Sequence, residues 1–200
     1  MATKKKITKN QVKIAAIVLS SFTFLWVLYE FITGQLGGFF YYELLRRFGH
    51  TAIIMMLLSS LTALFKKYRV PEGWYPHKVF GLFAVLYATA HMLTFWLSYG
   101  FDIVLILNAV TIQQFIILGN IAWILLLIIE VTSIDFIRRK NIKLWRAIHY
   151  FYYGAVAAVI IHVAMAAKLV RPIVYFYAAF FIVFTILHVK FIRNLILKKK

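Results

Sequence analysis

The sequence predicts an all-α integral membrane protein, a bundle of six transmembrane helices with both termini in the cytoplasm. Hydrophobic residues make up 64% of the 200 residues and charged residues only 14%, and the mean hydropathy is +0.84. Such a chain has too few polar side chains to cover a water-soluble globule. Long apolar stretches and a one-sided distribution of basic residues then give the number of spans and their orientation. We expect one domain over residues 1–200, in contact with the lipid of the plasma membrane as a multi-pass protein.

Six stretches are long and apolar enough to be spans, since about 20 residues cross a hydrocarbon core of roughly 30 Å. They are Ile14–Ile32, His50–Phe65, Val79–Tyr99, Phe115–Val131, Ile148–Ala167 and Pro172–Val189. The second is short, so flanking aromatic and polar residues are expected to extend it. The stretch "IVLILNAVTI", residues 103–112, is too brief to span after a chain reversal, and we expect it to lie at the membrane interface.

The net charge of +17 is explained by membrane topology. Of the 23 Lys and Arg residues, 19 precede span one, follow span six, or lie between spans two and three or four and five. The other four are Arg46, Arg47, Lys168 and Arg171. Because basic residues accumulate on the cytoplasmic side, residues 1–13 and 190–200 are predicted to be cytoplasmic and the odd-numbered spans to run outward. No nucleic-acid partner is predicted. The absence of cysteine excludes thiolate haem ligands and cysteine-bound iron–sulfur clusters in this chain.

Four of the six histidines form a pattern. His77 and His91 lie at the cytoplasmic start and well inside span three, and His149 and His162 lie in the same way in span five. Because both spans run outward, His77 comes level with His149, and His91 with His162. The two levels are then roughly 20 Å apart, at 1.5 Å per residue. Two neighbouring helices thus offer two stacked pairs of imidazoles.

The paired histidines favour a cofactor, although a single membrane histidine is often only a hydrogen-bonding group between helices. A zinc ion remains an alternative, but it usually takes three or four ligands at one level with carboxylates or thiolates, and the acidic residues here are few and scattered. A planar macrocycle with one axial imidazole on each side needs two ligands per level. The pairs therefore indicate b-type haem, held without a C-x-x-C-H attachment.

The spacing within span five conflicts with a straight helix. Two residues fourteen positions apart on an ideal helix lie within about 40° of the same face, whereas two residues thirteen positions apart differ by about 140°. Span five is therefore expected to bend or bulge, or its histidines must reach around the bundle. Gly154, between them, is the predicted place of the distortion.

Two stretches of the sequence resemble a known family. "HKVFGLFAVLYATAH", residues 77–91, resembles the third span of the ferric reductase-like transmembrane domain, which NADPH oxidases and ferric reductases share. "EVTSIDFIRRKNIKLWRAIHYFYYGAVAAVIIH", residues 130–162, resembles the fourth-to-fifth span region of that domain. This second stretch is also similar to the haem-binding membrane subunit of the periplasmic methionine sulfoxide reductase system. The resemblance covers roughly Gly49 to His162.

The resemblance implies that His77 and His149 hold an inner haem b and that His91 and His162 hold an outer one. It also implies an oxidoreductase-type electron-transfer subunit that depends on a partner. Oxidases and eukaryotic ferric reductases continue into a flavin and nicotinamide domain, whereas this sequence ends at "NLILKKK" and has no Gly-rich phosphate-binding loop. The expected donor is therefore a flavoreductase, a reduced flavin (FMN or FAD) or a quinol. The expected acceptor is ferric iron, oxygen, flavin or an external reductase.

Several basic residues are candidates to meet haem propionates. Lys78 and Arg146 flank the inner histidines, where a cation offsets the charge of a carboxylate, although the positive-inside rule is the more ordinary explanation for both. Arg46, Arg47 and Arg171 lie on the sparsely charged outer side and are candidates to meet the outer propionates or an anionic acceptor. His50, at the outer start of span two, is a candidate to lie near the outer haem or the acceptor, but we expect it to be a simple interfacial histidine, and we expect His188 to be structural.

Two classes of function remain open at this stage. The first is electron transfer through haem from a cytoplasmic or membrane donor to an acceptor on the outer face. The second is a membrane transporter, or a haem-binding or metal-binding sensor, whose histidines carry protons or metal. A transporter would be expected to interrupt its spans with Gly or Pro in both halves, and of the three prolines only Pro172 touches a predicted span boundary. The sequence therefore favours electron transfer.

Overall fold

A computed structural model describes residues 8–35, 37–67, 74–166 and 172–197, and every regular element within these ranges is an α-helix. The helices are α1 (Lys9–Ile32), α2 (Phe40–Lys67), α3 (Trp74–Ser98), α4 (Ile103–Ile112), α5 (Gln114–Ser133), α6 (Asp135–Lys140), α7 (Ile142–His149), α8 (Phe151–Ala166) and α9 (Pro172–Leu197). The all-α prediction is confirmed for this part of the chain.

Five segments of the described chain are long and apolar enough to cross a membrane. They are Asn10–Ile32, Phe40–Leu64, Pro76–Ser98, Gln114–Ser133 and Ile142–Ala166. The expected extension of the second span is confirmed, because α2 begins at Phe40 and takes in the aromatic and polar residues "FYYELLRRFG". In α9 the described apolar part is Val174–Leu187, which is shorter than the roughly 20 residues of a crossing. The sixth span therefore stays a prediction.

Helix α4 is a separate short element, as the sequence predicts. A turn precedes it at Gly100 and Phe101, whose φ angles of 61° and 60° lie in the left-handed region. The carboxylate of Asp102 then accepts hydrogen bonds from the backbone N–H groups of Val104 (2.8 Å) and Leu105 (3.2 Å), which caps the new helix. Ten residues rise only about 15 Å, so α4 cannot cross the hydrocarbon core. Its position at the interface stays a prediction.

The chain forms two compact units, Met1–Phe95 and Trp96–Lys200, and the boundary falls near the end of α3. In the first unit, Tyr87 of α3 is fully buried against α1. Its hydroxyl donates to the carbonyl oxygen of Ser20 (2.6 Å) and accepts from the N–H of Phe24 (3.2 Å). Its ring also stacks on that of Phe24, with centroids 4.3 Å apart. Tyr87 therefore fixes α3 to α1 one turn before His91.

In the second unit, α5 packs along α8, and α8 also contacts α9. The buried residues of these two helices include Ala122 of α5 and Ala155 and Ala158 of α8. Small side chains let two helix backbones approach closely, which is the usual basis of helix packing in membranes. The shorter helices α4, α6 and α7 also contact α5. Helix α5 is therefore the element on which this unit is assembled.

The predicted fifth span is interrupted, but the prediction of Gly154 as the place of distortion is wrong. Gly154 lies within α8, and the interruption is at Tyr150, between α7 and α8. Backbone N–H groups there bond three residues back, from Tyr150 to Ala147 and from Tyr153 to Tyr150, both at 3.2 Å. A residue in such a turn rotates the chain by about 120°, against about 100° in an α-helix. The tighter winding reduces the mismatch expected for a thirteen-residue spacing.

Candidate functional site

His91 lies in the second half of α3, half-buried, with its Nδ1 turned towards α2. Its Nδ1 is 2.8 Å from the carbonyl oxygen of Leu45. A carbonyl oxygen only accepts hydrogen bonds, so Nδ1 carries the proton and, in the neutral ring, Nε2 carries the lone pair. This is the form in which an imidazole binds a metal, with a second partner fixing its tautomer and orientation.

His162 of α8 is held in the same way within the second unit. Its Nδ1 is 2.7 Å from the carbonyl oxygen of Phe115, in the first turn of α5. The rings of His162 and Phe115 are also close, with centroids 5.7 Å apart. His162 therefore also has a protonated Nδ1 and a basic Nε2. Each unit contributes one histidine of the predicted outer pair, already in the ligating tautomer.

His77 stands near the start of α3 beside the buried residue Ser59 of α2. Its Nδ1 lies 2.9 Å from both the carbonyl oxygen and the hydroxyl oxygen of Ser59. The Ser59 hydroxyl is 3.3 Å from the carbonyl oxygen of His77. All of these groups are satisfied if the hydroxyl donates to the His77 carbonyl and Nδ1–H donates to the Ser59 carbonyl. This arrangement again leaves the lone pair on Nε2.

The spacing of fourteen residues recurs on the helix that faces the histidines. Leu45 and Ser59 are as far apart on α2 as His77 and His91 are on α3, and the pairs run in opposite order. Two antiparallel helices thus stay in register over four turns. Because fourteen residues nearly complete whole turns, both contacts lie on similar faces of both helices.

His149 ends α7 and has an aromatic neighbour on the same helix. The ring of Trp145 lies 4.9 Å from that of His149, and its Nε1 donates to the hydroxyl of Ser133 on α5 at 3.3 Å. The guanidinium of Arg138 lies over the Trp145 ring, 5.9 Å from its centroid, and is ion-paired with Asp135 at 2.9 Å. Trp145 therefore links His149 to α5.

The candidate cations are distributed between half-buried and exposed positions. Arg47 forms an ion pair with Glu30 and lies 3.8 Å from Glu43, and Arg46 pairs with Glu43 at 2.7 Å. Glu30 is buried and also accepts a hydrogen bond from Nε1 of Trp26 at 2.8 Å. Arg46 and Arg47 thus have carboxylate partners within their own unit.

Of the remaining candidates, Lys78 is half-buried beside His77, and Arg146 is exposed on α7. Arg171 and the side chain of His188 lie outside the described part of the chain, and His50 is half-buried in α2. The sequence did not point to the backbone acceptors Leu45, Ser59 and Phe115.

The donor set fits an axially ligated haem. Within the described ranges, no three His, Cys, Asp or Glu side chains come together in a group that could hold a metal ion. A b-type haem needs only two neutral imidazoles, and three of the four predicted ligands have Nδ1 next to a carbonyl oxygen. The hydrogen bond raises the basicity of the ligating nitrogen. These residues therefore have the chemistry that the predicted cofactor requires.

The chain matches a known family over its central part. The model of the family described as the ferric reductase like transmembrane component matches residues 48–161. The match takes in His77, His91 and His149 and ends one residue before His162. No solved structure matches the chain. Because the family match covers more than half of the residues and agrees with the resemblance seen between Gly49 and His162, the chain belongs to the ferric reductase-like transmembrane family.

Proposed function

We propose that the protein carries single electrons across the membrane through two b-type haems, from a cytoplasmic or membrane donor to an acceptor on the outer face. Membership of the ferric reductase-like family supports a membrane electron-transfer module in general. The observation that carries the finer proposal is the matched setting of His91 and His162. Each donates from Nδ1 to a helix carbonyl, at 2.8 and 2.7 Å, within a different unit.

The proposed ligands are His91 and His162 for the outer haem and His77 and His149 for the inner one. Haem iron supplies reversible one-electron chemistry when it is bound by two imidazoles. The chain itself supplies the lone pairs on Nε2 and the backbone carbonyls that fix the ring orientation. Apolar helix surroundings exclude water and lower the local dielectric constant. Lys78 and Arg146 are proposed to face the inner propionates. Arg46 and Arg47 are proposed to face the outer propionates or an anionic acceptor.

In the proposed topology the protein crosses the plasma membrane six times. Both termini lie in the cytoplasm. This topology rests on the distribution of basic residues and on the apolar stretches of the sequence. It puts His77 and His149 near the donor side and His91 and His162 near the acceptor side. Electrons then travel outward, along the direction of the odd-numbered spans.

The proposed donor is a flavoreductase, a reduced flavin (FMN or FAD) or a quinol. These 200 residues contain no Gly-rich phosphate-binding loop of the kind that binds a nicotinamide dinucleotide. The proposed acceptor is a ferric chelate, oxygen or an external reductase. The activity is thus that of an oxidoreductase subunit that works with a partner on at least one side.

The cofactor content of the purified chain tests this proposal. We expect close to two non-covalent haem b groups per chain, with the low-spin spectrum of two axial imidazoles and full reduction by dithionite. A preparation supplied with haem that shows no reducible Soret band would contradict the proposal. His50→Ala is the matched control, because it removes a membrane histidine outside both pairs and should leave the haem content unchanged.

A further inference from the structure

The same three-part arrangement occurs in both units. A helix carbonyl accepts the Nδ1–H of a histidine 46 residues later in the first unit and 47 residues later in the second. One turn after each carbonyl stands a glycine, Gly49 after Leu45 and Gly119 after Phe115. The histidine ring lies against that glycine in both cases. Two different stretches of sequence thus form the same arrangement of a helix carbonyl, a glycine and a histidine.

The glycines leave the space that the histidine rings fill. In an α-helix, residues four apart lie on the same face, so a side chain at either glycine would stand beside the carbonyl that the ring must reach. A Cβ at Gly49 would lie 3.1 Å from Nδ1 and 3.2 Å from Cε1 of His91. A Cβ at Gly119 would lie 2.9 Å from both Nδ1 and Cε1 of His162. Carbon atoms in favourable contact stay roughly 3.5 to 4.0 Å apart, so a side chain at Gly119 forces the ring to shift, and one at Gly49 requires a smaller adjustment of the same kind.

We propose that Gly49 and Gly119 are positioning residues that hold His91 and His162 against the carbonyls of Leu45 and Phe115, with Nδ1 protonated and Nε2 facing away from the helix. The identity of the group that Nε2 then binds rests on the proposed function. The effect on the rings themselves does not, because it follows from the contacts within each unit. Gly49 therefore sets the tautomer and the orientation of the His91 ring, and Gly119 sets those of the His162 ring.

Losing this contact has a specific chemical result. A ring that moves off the carbonyl loses the acceptor that keeps the proton on Nδ1. The proton can then reside on Nε2, and an Nε2–H nitrogen has no lone pair for a metal. Alanine is a better helix former than glycine, so a defect in a Gly→Ala variant would come from the added Cβ and not from a weaker helix.

The first measurement compares Gly119→Ala, Gly49→Ala and the control Gly154→Ala in the full chain with haem. Gly154 lies on α8, where a Cβ meets only Cδ1 of Leu125 at an ordinary 3.6 Å. We expect Gly119→Ala to weaken haem binding about 10-fold or more, as loss of an outer-shell partner typically does. The low-spin electron paramagnetic resonance signal of the outer haem should shift as the ring turns. Gly49→Ala should show a smaller change of the same kind, and Gly154→Ala none.

The second measurement needs no haem. Magic-angle spinning NMR of the haem-free chain labelled with 15N-histidine reports which ring nitrogen carries the proton, and the His162 signal is identified by its loss in His162→Gln. We expect Nδ1–H for His162 in the parent chain and in Gly154→Ala, and a gain of Nε2–H in Gly119→Ala. Should Gly119→Ala fail to fold by circular dichroism, the milder contact in Gly49→Ala, measured on His91, decides in its place.

The two measurements separate the possible failures. If Gly119→Ala keeps both the Nδ1–H signal and the parent resonance spectrum, the glycine does not position the ring and the inference is wrong. If the parent chain binds no haem but Gly119→Ala changes the tautomer of His162, the inference stands and the proposed function fails. A change of equal size in Gly154→Ala would also overturn the inference, since it would show a general effect of Cβ atoms in this helix pair.

Discussion

At the scale of single residues, backbone carbonyls on neighbouring helices select the histidine nitrogen that is available for binding. His77, His91 and His162 each have Nδ1 within 2.9 Å of such an oxygen. An imidazole in hydrocarbon needs a hydrogen-bond partner, and a helix carbonyl has a second lone pair to offer. In each of the three rings, one hydrogen bond therefore gives the Nδ1–H a partner inside the membrane and also keeps the lone pair on Nε2.

Replacing single histidines should separate the two proposed haems. His91→Ala is expected to remove mainly the outer haem and to stop reduction of an external ferric chelate, because His162 alone would supply only one of the two proposed imidazole ligands. His77→Ala is expected to remove the inner haem and to block entry of electrons. Haem content and a redox titration of each variant provide the measurement. A His77→Ala chain that keeps two haems with an unchanged titration would remove the inner pair from the proposal.

The sequence indicates candidate ligands, but it does not indicate the groups that hold them in place. Histidines within apolar spans stand out because polar groups there are costly. Leu45 and Phe115 act through carbonyl oxygens, which every residue has, so nothing in their identity marks them. Gly119 offered a partial indication, since a glycine inside a helix costs about 1 kcal/mol against alanine and usually has a packing reason. Its histidine partner becomes visible only when α5 and α8 are packed together.

At the scale of helices, spacing predicted the regular elements well and the irregular one only in part. The 14-residue spacing on α3 corresponds to an uninterrupted helix, as expected. The 13-residue spacing correctly indicated a distortion, but the helix is interrupted at Tyr150 and not at Gly154. Glycine marks where a chain bends easily, whereas this interruption arises from backbone N–H groups that bond three residues back. Such a choice between i−3 and i−4 acceptors depends on packing and leaves no mark in composition.

The attachment of α3 to α1 gives a prediction at the same scale. Tyr87→Phe removes the hydroxyl that bridges the carbonyl of Ser20 and the N–H of Phe24. These two groups are four residues apart and can bond to each other in a regular helix, so neither is left unsatisfied. We therefore expect a loss of only about 1 kcal/mol in the free energy of unfolding.

Reversible unfolding in mixed detergent measures this loss. Tyr29→Phe is the control, because that side chain is exposed on α1 and its change should stay within about 0.5 kcal/mol. Equal stability of Tyr87→Phe and the parent chain would show that ring packing alone joins the two helices.

At the scale of the whole molecule, charge and hydropathy predicted the class of protein, and the family match agrees with it. The +17 net charge is consistent with the proposed topology, in which most basic residues would face anionic lipid on the cytoplasmic side. The count of six spans depends on the last helix, whose described apolar part is Val174–Leu187. The end of this span is hard to predict from composition, because the basic residues Lys190 and Arg193 are interspersed with apolar residues there.

The last prediction concerns whether this chain accepts electrons directly from NADPH or only from a separate donor. We expect NADPH alone not to reduce the haems of the pure chain in detergent, because these residues contain no dinucleotide-binding loop. Reduction should follow when a quinol, a reduced flavin or a flavoreductase is added, as recorded by the absorbance of reduced haem. His91→Ala under the same conditions is the control for transfer to the outer acceptor. Rapid reduction by NADPH alone would place a donor site within these 200 residues.

The hydrogen bonds of His91 and His162 also bear on how the protein is made. Leu45 and Gly49 precede His91 in the chain, so the ribosome has synthesised the whole setting of this ring before it reaches Trp96. The setting of His162 begins only with Phe115 and is complete some forty-seven residues later. The sequence that forms the setting of His91 is thus complete before translation reaches Phe115. Under the proposed ligation, binding haem would cost less side-chain entropy, because these hydrogen bonds already restrict both rings.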